Sequence, residues 1–243
     1  MNWVNFIGEG RSGHTIISGA IGSHPNARVS EEQKYISKYL RGYSPQEIIT
    51  LLSSSGVGHA RADQGWPNLQ TFTRPLKVIG DKCGWDAVNE VARRGAPNSI
   101  VCDFESYIGM PVKTLVTIRH PLDNISSWAN GDKYKRIYPE KGLRFRRLVR
   151  RYKQFYETAW GILQETDHMI INHERLIANP NDTLQRISDY LELPANRPWR
   201  RGSAKRIWSS PRIRRHDTEW PKPSFDNIQR FIQEHPLMEY YRE

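Results

Sequence analysis

An apolar run closed by glycine opens the chain, Trp3-Val4-Asn5-Phe6-Ile7-Gly8, and Glu9-Gly10-Arg11-Ser12-Gly13-His14-Thr15 comes directly after it. From residue 13 to residue 21 the side chains are small or apolar, as in a buried helix. Strand, glycine turn and helix in immediate succession fold the chain back over its own strand, which commits the remaining sequence to an α/β arrangement. Glycines let successive backbone N–H groups turn inward and the helix N-terminus adds partial positive charge, so the turn is expected to bind an anion. Ser12 and Thr15 offer hydroxyl donors beside it. The spacing is that of a phosphate loop, GxxxxG-K-[ST], with His14 in the lysine's place. Without that lysine, and without an apolar strand ending in a magnesium-binding acid, an ordinary ATPase is disfavoured. For such a loop taken alone, the alternative is a tight turn that binds nothing.

The rest of the chain continues the alternation. Strands are predicted at residues 27–30, 77–80, 112–118 and 168–171, the third being β-branched and uninterrupted, as suits a central parallel strand. Helices are predicted from a capping box at Ser44 through Leu52, over 85–94 with a stop at Gly95, and from Pro121 onward. A long basic helix is predicted over 139–165, an amphipathic one from Asn179-Pro180, and a last one capped by Ser224. The fold class is therefore α/β, with a central, largely parallel sheet flanked by helices. Residues 1–243 read as one domain, ending in a basic loop segment, 197–223, and a terminal helix, 224–234.

Charge and cysteine content narrow the classes further. With 36 Lys/Arg against 26 Asp/Glu the net charge is +10, which favours an anionic partner without saying which. At 37 % hydrophobic residues with 8 Trp and 11 Tyr, disorder is excluded. Cys83 and Cys102 cannot staple a chain of this size and no CxxC or Cys/His cluster exists, so neither a disulfide scaffold nor a metal site is expected. No apolar run is long enough to span a membrane and the first ten residues lack a leader pattern, giving a cytoplasmic expectation.

A second anion site is expected where residues 112–118 run into Arg119-His120-Pro121-Leu122-Asp123-Asn124-Ile125-Ser126-Ser127. Arg119 falls at the carboxyl end of its strand, the edge at which open α/β sheets bind ligands, and Ser127 lies two turns into the following helix. The alternative is an arginine paired to a carboxylate, with Asp123 capping. Together, GEGRSGHT and RHPLDNISS resemble the two cofactor-binding signatures of the PAPS-dependent sulfotransferases. His24-Pro25, Asp81-Lys82 and His173-Glu174-Arg175-Leu176 with Pro180 resemble further elements of that family, and the likeness covers residues 3–193.

The resemblance implies a P-loop-like sulfotransferase architecture and PAPS (3′-phosphoadenosine 5′-phosphosulfate) as donor, with PAP as product and no metal. It implies that Arg11, Ser12, Gly13, His14 and Thr15 hold the 5′-phosphosulfate, and that Arg119 and Ser127 hold the 3′-phosphate. His120 departs from the usual Asn or Asp, His14 from a small hydroxyl residue, and Ile16 from the tryptophan that stacks adenine in some members, so the adenine's partner is unassigned.

Sulfuryl transfer to a hydroxyl or amine develops negative charge on the leaving phosphate oxygen, where Arg11 and the 13–15 backbone are placed to act. Glu32 and Glu31, at the end of the second strand, are candidates for the base, with His14 as a rival because an imidazole titrates near neutrality. Their alternative is the charged first turn of a helix through Lys38. Lys82 would orient the sulfuryl group or the base; its alternative is a surface lysine. Residues 197–215 hold eight Lys/Arg and no acid, so Arg201, Arg212 or Arg214 is expected to close over the 3′-phosphate.

Three other functions compete: a divergent phosphate-loop kinase or hydrolase, a nucleic-acid-binding protein, for which no recognised motif speaks, and a non-catalytic relative. The acceptor is left open; its pocket is expected among residues 35–43, 59–74 and 132–138.

Overall fold

The structure, a computed structural model, describes residues 1–54, 75–207, 210 and 213–242. Its centre is β1 (Asn2–Ile7), buried along its whole length, which is why the run needs apolar residues on both faces. Trp3 and Ile7 enter one layer of core, Val4 and Phe6 the other. Around β1 the sheet adds β2 (Ala27–Glu31), β3 (Val78–Lys82), β4 (Val112–Ile118) and β5 (His168–Asn172) in the order β2-β3-β1-β4-β5. All four pairings are parallel. The chain thus leaves β1 toward one edge and returns to its other side, and this reversal makes the carboxyl ends of β1 and β4 the switch point where such sheets bind ligands.

One face of the sheet carries α1 (His14–Gly22), α9 (His173–Ala178), α10 (Pro180–Tyr190) and α11 (Arg197–Ala204). The other carries α2 (Tyr35–Tyr39), α3 (Pro45–Ser54), α4 (Asp86–Arg94), α5 (Ile100–Ile108), α6 (Pro121–Ala129) and the long α8 (Lys141–Leu163). α7 (Asp132–Ile137) bridges α6 and α8, while α12 (Lys222–Glu234) and a 3-10 helix (Pro236–Tyr241) pack on α8. Among the described residues no helix is long and apolar enough to cross a membrane.

The capping box forms as read: Ser44 N–H donates to Glu47 Oε2 at 2.7 Å and Glu47 N–H returns to Ser44 Oγ at 3.3 Å. Two readings are corrected. The segment from 197 is not all loop, because Asn196 accepts from Trp199 N–H at 2.9 Å, Pro198 fits the first turn and α11 forms. The terminal helix begins at Lys222 rather than after a Ser224 cap, since Pro223 is tolerated in a first turn.

Candidate functional site

The glycine loop and the second motif meet. Ile7 ends β1, the loop comes next, and α1 starts at His14 with no side chain capping it, so its first-turn N–H groups face the loop. Gly13 stands at φ +101°, and a Cβ there would lie 2.5 Å from His173 Nδ1. A Cβ on Gly8 would lie 2.1 Å from Thr117 Oγ1. The loop is therefore glycine-rich because β4 and α9 press against it.

Across the gap, Arg119 directly follows β4 and is only 7 % exposed; its Nη1 donates to the Arg11 carbonyl at 3.3 Å. Burial pulls its pKa down, while Asp123, Glu174 and Tyr241 oppose that shift. Ser127, on α6, brings its Oγ to 3.4 Å from Arg11 Nε. Arg11, Arg119 and Ser127 thus converge from three elements beside the start of α1, a concentration of donors suited to a polyanion.

Not every loop residue is free for that task. Ser12 is fully buried, with its Oγ 2.7 Å from Thr117 Oγ1 and 3.3 Å from His14 Nδ1, so its hydroxyl braces the loop on β4 instead of standing open as expected. Thr15 is half-buried on the first turn of α1. His14 is 7 % exposed, and burial together with the nearby Lys82 ammonium pushes it down to about 3. The expectation that it titrates near neutrality is corrected, and with it the footing of His14 as a base.

Lys82 and the two glutamates come together. β2 pairs with β3 so that Glu31 stands opposite Lys82, and the Lys82 ammonium lies 3.1 Å from Glu32 Oε1 and 3.9 Å from Glu31 Oε1. Lys82 is 4 % exposed and is not a surface lysine. Glu31 closes β2, Glu32 stands next at φ +52°, and α2 begins only at Tyr35, so neither is in a helical first turn.

The basic segment returns to the second motif by a route the sequence did not disclose. Asp123 Oδ1 accepts the N–H groups of Arg214 and Arg215, each at 2.7 Å, and the Arg215 guanidinium reaches Asp123 Oδ2 at 2.5 Å. Arg214 is thereby brought beside the start of α6, and Arg215 is the side chain that anchors it. Arg212 lies outside the described residues. Arg201 is not brought there: it is exposed on α11, whose Trp199 indole donates to the Ala20 carbonyl at 2.8 Å, at the far end of α1, about 13 Å along that helix.

His120 keeps a capping role, its Nδ1 accepting from Leu122 N–H at 3.3 Å, and burial with neighbouring Arg215 pushes it down to about 4. Its N–H donates to Glu174, which also accepts from Tyr241 OH at 2.6 Å, so the 3-10 helix closes on the motif. Sequence reasoning also missed Glu9 and Arg151. The Glu9 carboxylate, 1 % exposed, accepts from Gly10 N–H at 2.9 Å and from Arg151 Nε at 3.1 Å, and the Arg151 guanidinium lies 4.7 Å over the Trp128 ring. Of the segments expected to bind the acceptor, 59–74 lies outside the described residues. Tyr35 is a core residue, tilted against Trp3 and Phe104 at 4.9 and 4.5 Å, and does not line a pocket as expected.

No family model and no curated protein sequence matches the chain. Solved structures do. A sulfotransferase from Alicyclobacillus acidocaldarius is similar with a TM-score of 0.54 at 12 % identity, over 100 % of this chain and 96 % of that one. Mouse sulfotransferase SULT7A1, solved in complex with PAP, is similar with a TM-score of 0.54 at 11 % identity, over 98 % of this chain and 87 % of that one. The chain therefore has the sulfotransferase fold, an α/β fold with a parallel central sheet.

Proposed function

We propose that the chain is a PAPS-dependent sulfotransferase that moves a sulfuryl group to a hydroxyl or amine of its acceptor. The observation that carries this reading is the convergence of Arg11, Arg119 and Ser127 beside the uncapped start of α1, which brings the glycine loop and the second motif together. PAPS suits that donor set because it carries phosphate at both ends of its ribose, and the PAP complex of the mouse neighbour supports the same ligand class. When bound, PAPS supplies an activated sulfuryl group whose S–O bond to phosphate breaks as one to the acceptor forms.

The chain's own residues would then divide the work. The N–H groups of residues 13–15 and the Arg11 guanidinium would hold the 5′ end and meet the charge growing on the leaving oxygen. Arg119 and Ser127 would take the 3′-phosphate, with Arg214 and Arg215 held beside them by Asp123. Glu32, half-exposed and tethered to Lys82, is the carboxylate best placed to accept the acceptor's proton, a role worth typically about 10²–10⁴-fold. Glu31, more buried and 3.9 Å from Lys82, would keep the lysine in place.

Thermal unfolding with PAP and, separately, with ATP and magnesium tests this at fixed salt. Ligand at 100 times its dissociation constant adds about 2.7 kcal/mol, so PAP in a chelator should raise the midpoint by several degrees. Stabilisation by ATP with magnesium alone would replace this reading with a kinase.

A further inference from the structure

Beside the glycine loop a groove of about 400 Å³ runs between α4 and α8. Glu9 and Trp85 form one end, Asn89 and Arg93 stand on the α4 wall, and Arg151 and Gln154 on the α8 wall. That end abuts the loop through the bond from Gly10 N–H to Glu9. Trp85 adjoins the Lys82 region, since Lys34, two residues past Glu32, holds its ammonium 4.9 Å over the indole.

The surface around the groove is strongly basic. Residues 132–153 contain ten Lys/Arg against two Asp/Glu, most of the chain's +10 excess in one stretch. Lys133, Lys135, Arg136, Arg146, Arg147 and Arg150 are exposed, and none forms an ion pair among the described residues. Tyr134 joins α7 to the groove, its hydroxyl 3.0 Å from Arg151 Nη1, and Arg147 sits one turn before Arg151 on the same side of α8.

We propose that this groove is the acceptor site and that the acceptor is an anionic saccharide, a sugar chain carrying carboxylate or sulfate groups. The inference rests on the sulfuryl-transfer reading and names its acceptor class. Asn89, Arg93, Gln154, Glu157 and Thr158 line the groove around the Trp85 indole, and Val88, Ala92 and Phe155 add apolar surface. A sugar ring, with hydroxyls at its edge and C–H groups on its face, can satisfy that mixture. A phenol, with its single hydroxyl, would leave the Asn89 and Gln154 side-chain amides desolvated without partners. The flanking cations then take the charges of neighbouring sugar units. Single-stranded nucleic acid would call for a row of stacking aromatics, and a membrane surface for an apolar rim, whereas Ile137 is the one large apolar side chain exposed among the described residues of α7 and α8.

Titration calorimetry with tetra-galacturonate and its uncharged methyl ester, with and without saturating PAP, tests the assignment. The acid should bind at least tenfold more tightly than the ester. Ala92→Trp, which fills the groove from an exposed α4 position, and Arg147→Glu should each weaken it at least tenfold while PAP affinity stays within twofold. Equal binding of acid and ester, or binding that survives both variants, would overturn the proposal. So would binding of an acidic tyrosine peptide or of phosphatidylserine vesicles where tetra-galacturonate fails. Should tetra-galacturonate bind as described and PAP not bind, the groove stands and the donor reading falls.

Discussion

Gly13 is held at φ +101° with His173 against its α-carbon, so two independent constraints act on one residue. An alanine there meets the left-handed penalty of about 1–2 kcal/mol and a steric contact besides. Gly13→Ala should therefore lower the thermal midpoint by roughly 2–8 °C and weaken PAP binding; an unchanged midpoint would mean that the loop is not clamped. His120 makes a second prediction, in pH. Its folded pKa, about 4, lies below the ordinary 6.5, so between those values the unfolded chain binds more protons and stability rises with pH, and is lost as pH falls. His120→Asn keeps a capping side chain but does not titrate. Urea titrations from pH 4 to 6.5 should show a shallower slope for the variant, by as much as one proton; equal slopes would show that His120 is protonated in the fold.

At the scale of elements, the strands and the two motif helices were legible because each is written locally: an unbroken apolar run, a glycine turn, a proline and aspartate opening a helix. Strand 112–118 coincides with β4 to the residue. α11 was not legible, because eight charges obscured its start signals, Asn196 and Pro198, and because its anchor, Trp199, acts only through a bond to a helix far away in sequence. The path by which the basic segment returns to α6 was hidden for the same reason, since Asp123 reads locally as a cap and holds residues 214–215 across the fold. These placements separate Arg201 from Arg214, which the sequence had grouped, and make Arg215 the side chain that holds the 214–215 segment on Asp123. Arg201→Ala should change PAP affinity less than twofold, whereas Arg215→Ala, which leaves the buried Asp123 carboxylate without its cation, should weaken PAP about tenfold and cost roughly 1–3 kcal/mol of stability. Calorimetric titration with PAP and urea unfolding of both variants check this; equal effects would place α11 at the site.

For the whole molecule, the reversal of strand order at β1 decides where chemistry can occur. It sets the ends of β1, β2, β3 and β4 side by side, so residues as distant in sequence as Arg11, Glu32, Lys82 and Arg119 share one edge of the sheet. Which of them meet was only partly readable. The Lys82–Glu32 pair results from parallel register between β2 and β3, whereas Glu9 with Arg151 depends on how α8 crosses the sheet, for which no local signal exists. On the proposed function, this edge holds a nucleotide with phosphate at both ends, and Arg119 holds the 3′ one. Titration of wild type and Arg119→Ala with PAP and with AMP, which lacks only the 3′-phosphate, decides it. Wild type should bind PAP at least tenfold more tightly than AMP, and Arg119→Ala should bring the two close to equal, a charge-assisted contact being worth about 1.5–3 kcal/mol. Equal binding of PAP and AMP by the wild type, or a preference that survives the loss of Arg119, would overturn that assignment.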